Sequence, residues 1–186
     1  APLLKSEGND LSSATYGFIF ALSGVGIEDG VIVNWEAFLS ELEVIQAIKL
    51  ALCEMNELPN WFEKLFIAHP KLVSLTLIQE IQWLLTNSDK SDSGRYVLGQ
   101  ILVNAHYLFE TISRPLFQLI SGSSNSSYKI NKNILRILTT SKYISNEELA
   151  SLSEYKIKNN DCDNLRGVWW AILISSDAVK GLPLLS

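Results

Sequence analysis

The side chains of this chain that could do chemistry are few: two histidines, two cysteines, three close pairs of carboxylates and a set of lysines among tyrosines. His69 precedes Pro70 at a break between two helical stretches, where a ring nitrogen can cap the incoming helix. His106 stands beside Tyr107 at another junction, with no Cys, Asp or Glu close by in sequence. A zinc site needs three or four ligands at set spacing, and neither HxxxH nor HExxH occurs. Cys53 and Cys162 lie 109 residues apart without a CxxC neighbour, which reads as two buried thiols rather than a redox or metal pair.

The carboxylate pairs are Glu41 with Glu43, Glu147 with Glu148, and Asp161 with Asp163. All fall in or near the first turn of an expected helix, where the unpaired amides and the helix dipole favour negative charge. That local role accounts for them without a glycosidase-type pair. Phosphate chemistry finds no support either. No GxxxxGK[ST] is present, and Gly24-Val25-Gly26-Ile27-Glu28-Asp29-Gly30 follows a helix and carries acids where an anion site needs free amides at a helix start. No GxSxG elbow occurs. No catalytic, cofactor-binding or metal-ligating residue is therefore assigned, and no cofactor is expected. An enzyme with a dispersed site would have to bring His69, His106 and a carboxylate together.

The basic residues are the remaining candidates. Lys129, Lys132, Arg136 and Lys142 lie near Tyr128 and Tyr143, and Lys156 and Lys158 lie near Tyr155. A basic groove with aromatic platforms can hold a single nucleic-acid strand. Here Glu147, Glu148 and Glu154 interrupt it, and the pI of about 5.1 falls far below the value near ~9 typical of nucleic-acid binders. Lys129, Lys132, Arg136, Lys156 and Lys158 are instead read as a solvated face and as candidate contacts for a protein or peptide.

Charge divides along the chain. Residues 1–93 carry 5 Lys/Arg against 13 Asp/Glu, a balance of −8, whereas residues 94–186 carry 10 against 7, a balance of +3. An apolar content of 47% with five Trp excludes intrinsic disorder. The mean hydropathy of +0.16 implies helices that bury more than one face. Leu11 to Ile27 is the longest uncharged run, 17 residues with Gly and Ser inside it, too short and too polar for a spanning helix. It also lacks the basic flank of a signal peptide. The expected setting is cytoplasmic. Because the chain starts Ala1-Pro2-Leu3 and its one Met is Met55, an excerpt of a larger protein is expected.

Helical periodicity runs nearly throughout. A first helix is expected from Leu11 to Val25, ending among Gly24, Gly26 and Gly30, with Val31-Ile32-Val33 as loop. Ser40-Glu41-Leu42-Glu43 has the capping-box form, and the helix behind it places Leu42, Ile45, Ile48, Leu52 and Met55 inward, with Gln46 and Lys49 opposite. Asn60 is the expected cap of a helix at Trp61, and Pro70 opens another in which apolar residues nearly encircle the axis from Leu72 to Leu85. Further helices are expected at 94–104, 107–120 with a possible kink at Pro115, 132–142, 146–158 behind the box Ser145–Glu148, and 165–175 capped by Asp161. Trp61, Trp83, Trp169 and Trp170 fall on apolar faces and are expected in the core; Trp35, near a loop, is expected to be part exposed.

One cassette occurs twice. Trp61-Phe62 with Leu65 and His69 lines up with Trp169-Trp170, Leu173 and Asp177, an offset of 108 residues or three units of 36. That unit is near the ~34–47-residue periods of helical repeats. The expected fold is all-α, with antiparallel helix pairs stacked as a short right-handed α-solenoid of HEAT or armadillo type. Residues 1–10 form a polar leader and residues 11–186 one repeat domain with a flexible loop at 121–128.

The run Ala51 to Phe62, then His69-Pro70, Glu80-Ile81-Gln82-Trp83 and the later Trp169-Trp170 with Asp177, resembles the HEAT-like helical region of large bacterial STAND proteins. In that family a NACHT-type ATPase couples an effector to C-terminal helical repeats that sense a target. No ATPase motif is present here, so the resemblance implies only a sensor or scaffold role. The expected function is a non-catalytic module that binds a protein or peptide; the alternative is a self-contained helical regulator acting as an oligomer.

Overall fold

A computed structural model of the chain describes residues 16–52, 57–86, 93–122, 128–159 and 165–177. All secondary structure among them is helical: α1 (Tyr16–Val31), α2 (Glu41–Leu52), α3 (Trp61–Ala68), α4 (Pro70–Thr86), α5 (Ser93–Asn104), α6 (Phe109–Gly122), α7 (Tyr128–Thr140), α8 (Asn146–Lys158) and α9 (Arg166–Ser176). Short 3-10 helices at Trp35–Phe38 and His106–Leu108 lead into α2 and α6. The polar leader at 1–10 lies outside the described residues. Of the loop expected at 121–128, Ser121 and Gly122 belong to α6 and Tyr128 to α7, and residues 123–127 lie outside the described residues.

Local chemistry sets several helix starts. Ser40 and Glu43 exchange the expected bonds: the Ser40 amide donates to Glu43 Oε2 at 2.8 Å, and the Glu43 amide to Ser40 Oγ at 3.4 Å. Ser145 and Glu148 repeat this ahead of α8, at 3.1 and 3.2 Å. One capping expectation is corrected. Asn60 makes no side-chain bond to α3, and its own backbone is already helical. The last helix follows Leu165, which has no capping side chain; Asp161, its expected cap, lies outside the described residues.

Helix α1 corrects a larger expectation. It passes through Gly24, Gly26 and Gly30 and ends at Val31, six residues beyond the expected stop at Val25. A β-carbon at any of these glycines would meet nothing within 4 Å, so none is required by close packing. Asn34, with φ of 57°, makes the left-handed turn that glycine was expected to supply.

Packing centres on α4. It touches α2, α3, α6 and α7, so its nearly encircling apolar residues meet neighbours on several sides. Val73, Leu77, Ile81, Leu84 and Leu85 are buried, while Leu75 is exposed. Ser74 Oγ donates to Thr111 Oγ1 at 2.7 Å, a polar tie between α4 and α6. Helix α6 also packs on α7, α5 on α7, α1 on α2, and the α8–α9 pair has the most extensive interface. One continuous cluster of buried apolar side chains runs from Trp35 to Leu173.

Trp35 belongs to that core. It is 4% exposed, edge-on to Trp61 with ring centroids 6.0 Å apart, and its indole N–H donates to Asp29 Oδ1 at 3.1 Å. The expected part-exposed loop position is therefore corrected: the 3-10 turn folds the ring inward. Trp61 and Trp169 are buried, and Trp83 and Trp170 pack partly buried against the cluster.

Helix α2 buries Ile48 and Leu52 as expected, but its inward face is rotated away from Leu42. Val44, Ala47, Ile48 and Ala51 form the tightly buried stripe at i, i+3, i+4, i+7 spacing, Leu42 is 66% exposed, and Lys49 is buried rather than opposite the core. The two alanines carry the close contact, and larger residues elsewhere on the helix drew the expectation away from them.

Candidate interaction surface

Helix α7 carries three of the five basic candidates. Ile130, Ile134, Leu135, Ile137 and Leu138 bury one side of it. This leaves Lys129, Lys132 and Arg136, at i, i+3 and i+7, on one exposed stripe. Lys132 Nζ lies 5.8 Å from the Tyr128 ring centroid, and just past the helix Lys142 Nζ lies 5.5 Å from that of Tyr143. Both ammoniums sit over aromatic faces whose quadrupole attracts them, which holds the lysines against the surface with donors still facing water.

Helix α8 divides the other two candidates. Lys158 is exposed and donates to Glu154 Oε1 at 2.6 Å, one turn earlier. Lys156 is only 3% exposed, which corrects its placement on the basic face. It follows Leu149, Leu152 and Ser153 at i+7, i+4 and i+3, the inward stripe of α8, so its alkyl stem lies in the core. Two residues apart on a helix face nearly opposite sides. The periodicity of Leu149 and Leu152 was the signal that separated Lys156 from Lys158. The acids expected to interrupt the surface are engaged as well: Glu148 accepts from Arg114 across the α6–α8 boundary and from the Ser145 amide. The Arg114 bond and then the Ser145 amide hold its carboxyl below the ordinary range.

Neither histidine shows catalytic geometry. His69 Nε2 bonds the Glu36 carbonyl at 2.8 Å, clamping the 3-10 turn at 35–38 to the α3–α4 corner instead of capping α4 as expected. His106 Nε2 bonds the Leu102 carbonyl at 2.6 Å and packs on Phe109. With carbonyls as acceptors, each Nε2 carries its hydrogen. The neighbouring Tyr107 phenol is pushed above its ordinary range by burial and, second, by the Glu63 charge, so it stays neutral. Among the described residues, no group of three or more His, Cys, Asp or Glu is placed to hold a metal ion, and no helix is long and apolar enough to cross a membrane. Cys53, Cys162, Asp161 and Asp163 lie outside the described residues.

Sequence reasoning missed a second surface. Between the end of α1 and the start of α2, Ile27, Val31, Val33, Phe38 and Leu42 are all exposed, Val33 and Phe38 by more than 80%. Glu28, Glu36, Glu41 and Glu43 stand among them. The region is pinned by Asp29, which accepts from Lys64 at 2.7 Å as well as from Trp35. The Lys64 bond is the main reason the Asp29 carboxyl stays below its ordinary range. A run of apolar residues beside a helix end reads as core in sequence, and only the tertiary packing reveals that these side chains are exposed among the described residues.

The two copies of the Trp cassette share their last two turns. Trp61 and Trp169 are buried, Leu65 and Leu173 are wholly buried, and the eighth residue ends each helix. The His69 amide donates to the Leu65 carbonyl at 2.9 Å, and the Asp177 amide to the Leu173 carbonyl at 2.7 Å. Asp177 thus closes α9, and the residues after it lie outside the described ones. No family model matches this chain, and neither a curated protein nor a solved structure shows significant similarity to it.

Proposed function

We propose that this chain is a non-catalytic helical-repeat module that binds a protein or peptide, serving as a sensor or scaffold segment of a larger bacterial protein in the cytoplasm. A short right-handed α-solenoid is the architecture this reading requires. The observation that carries it is the paired cassette: α3 and α9 bury the same Trp and Leu and end on the same bond, with the five helices α4 to α8 between them. The row α2–α4–α6, each packed on the next, is the further support, since repeat stacks bury each helix between its neighbours. In such modules binding energy comes from an exposed helix face rather than a cleft, and the α7 stripe is the face with ordered charge and aromatics.

The test compares the protein with its Lys132→Glu/Arg136→Glu variant, each immobilised in extract of the source organism, by quantitative mass spectrometry. A protein retained by the first and lost from the second supports the reading. Identical retention by both overturns the assignment of the α7 face.

The alternative, a self-contained regulator acting as an oligomer, draws on one observation: the exposed apolar residues at the α1–α2 end. Surfaces of that kind mark association sites.

A further inference from the structure

We propose that the chain associates head to tail with copies of itself, the acidic and apolar α1–α2 end of one molecule seating on the basic α7 face of the next. The proposal rests on the reading of the chain as a protein-interaction module and names the partner.

Charge is segregated more sharply than the halves of the sequence show. Residues 27–48 carry five carboxylates, Glu28, Asp29, Glu36, Glu41 and Glu43, and no Lys or Arg. Residues 111–146 carry five basic residues, Arg114, Lys129, Lys132, Arg136 and Lys142, and no Asp or Glu. Of the five carboxylates, Asp29 is the one described with a cationic partner, Lys64. Glu28, Glu41 and Glu43 are exposed, as are Lys132, Arg136 and Lys142 on the other surface.

Fold placement keeps the two surfaces from neutralising each other within one molecule. Helix α4 packs against both α2 and α7, whereas α2 and α7 share no extensive contact with each other. The apolar parts match too. Val31, Val33, Phe38 and Leu42 offer aliphatic and aromatic area, and Tyr128 and Tyr143 on the other surface are exposed rings of the type that interfaces favour. The surfaces differ, so the contact is heterologous, and each molecule uses one face to give and one to receive. Such contacts close into rings or extend as open chains. Opposed charge sets the register and makes the association salt-sensitive.

The experiment is sedimentation velocity on the full chain over a wide concentration range. The weight-average mass is expected to rise with concentration, and raising NaCl from about 50 to about 500 mM should weaken association by about tenfold. Two variants, Glu28→Lys/Glu41→Lys and Lys132→Glu/Arg136→Glu, should each be monomeric with unchanged helical circular dichroism. Mixed, they should associate again, because one retains an intact α7 face and the other an intact acidic end, and their two reversed surfaces are themselves opposite in charge. Phe38→Ser, which alters no charge, should weaken association at both salt levels. A wild-type chain that stays monomeric at every concentration overturns the proposal, as do variants that still associate alone or fail to pair when mixed. If the wild type is monomeric while the α7 variant loses a different protein from extract, the self-association fails and the interaction-module reading stands.

Discussion

Trp169, on α9, is 2% exposed, with its indole nitrogen buried and making no described hydrogen bond. Truncating it to Ala removes a large apolar contact and opens a cavity, so Trp169→Ala should cost about 3–5 kcal/mol in denaturant unfolding. Trp169→Phe should cost clearly less, since it discards a donor that gains nothing in place. Ser113 and Ser141 make the opposite case: both are buried, and the 2.7 Å bond from Ser113 Oγ to Ser141 Oγ joins α6 to the turn after α7. Ser141 Oγ also accepts from the Tyr143 amide at 3.2 Å. Ser141→Ala strips partners from two donors and should destabilise more than Ser113→Ala, by roughly 1–3 kcal/mol per donor left unpaired. Glu148 supplies a pH test. Its folded pKa lies below the ordinary value because the charged form gains Arg114 and the Ser145 amide. The stabilisation is therefore fully present above the ordinary carboxylate pKa and fades as pH falls through the folded one. Glu148→Gln keeps a competent capping partner and loses the charge. The stability gap between it and the wild type should be largest near neutral pH and close on acidification, as read from urea midpoints.

At the scale of the element, legibility tracks how local the cause is. Both capping boxes were readable because each needs only residues three apart, and the start of α4 followed from Pro70, whereas α6 runs Phe109–Gly122, shifted two residues from the expected 107–120. Pro115 sits inside α6, where its ring removes one amide donor without ending the helix. What could not be read was decided by a partner elsewhere in the chain. Trp35 turns inward because Asp29 and Trp61 receive it; α2, which packs on α4, buries Ala47 and Ala51; Lys156 is buried on α8, which packs extensively on α9. The continuation of α1 through three glycines likewise outran its local signals. Those glycines meet open space, so Gly26→Ala should raise stability by about 0.5–1 kcal/mol, measured as an upward shift in the thermal midpoint. A loss on that substitution would argue against the helix at that point.

Across the whole molecule the open matter is whether the helices form one cooperative core or a series of coupled layers. The α8–α9 pair has its most extensive interface within itself, whereas α4 is shared among α2, α3, α6 and α7. In a stacked arrangement, stability is close to a sum over neighbours, and damage stays near where it is made. Amide hydrogen exchange on Trp169→Ala should then show α8 and α9 losing protection while α2 and α4 keep theirs. Uniform loss of protection in all helices would favour a single core and count against the solenoid.

The edge-on contact of Trp35 with Trp61 also gives the molecule an optical label at one end. Two indoles 6.0 Å apart at 79° couple their electronic transitions. They should add an exciton couplet to the ultraviolet circular dichroism that disappears in Trp35→Phe. Because Asp29 and Lys64 hold this ring pair beside the acidic surface, the couplet reports on that end separately from Trp169 and Trp170 in α9. Anything that seats there can be followed without attaching a dye.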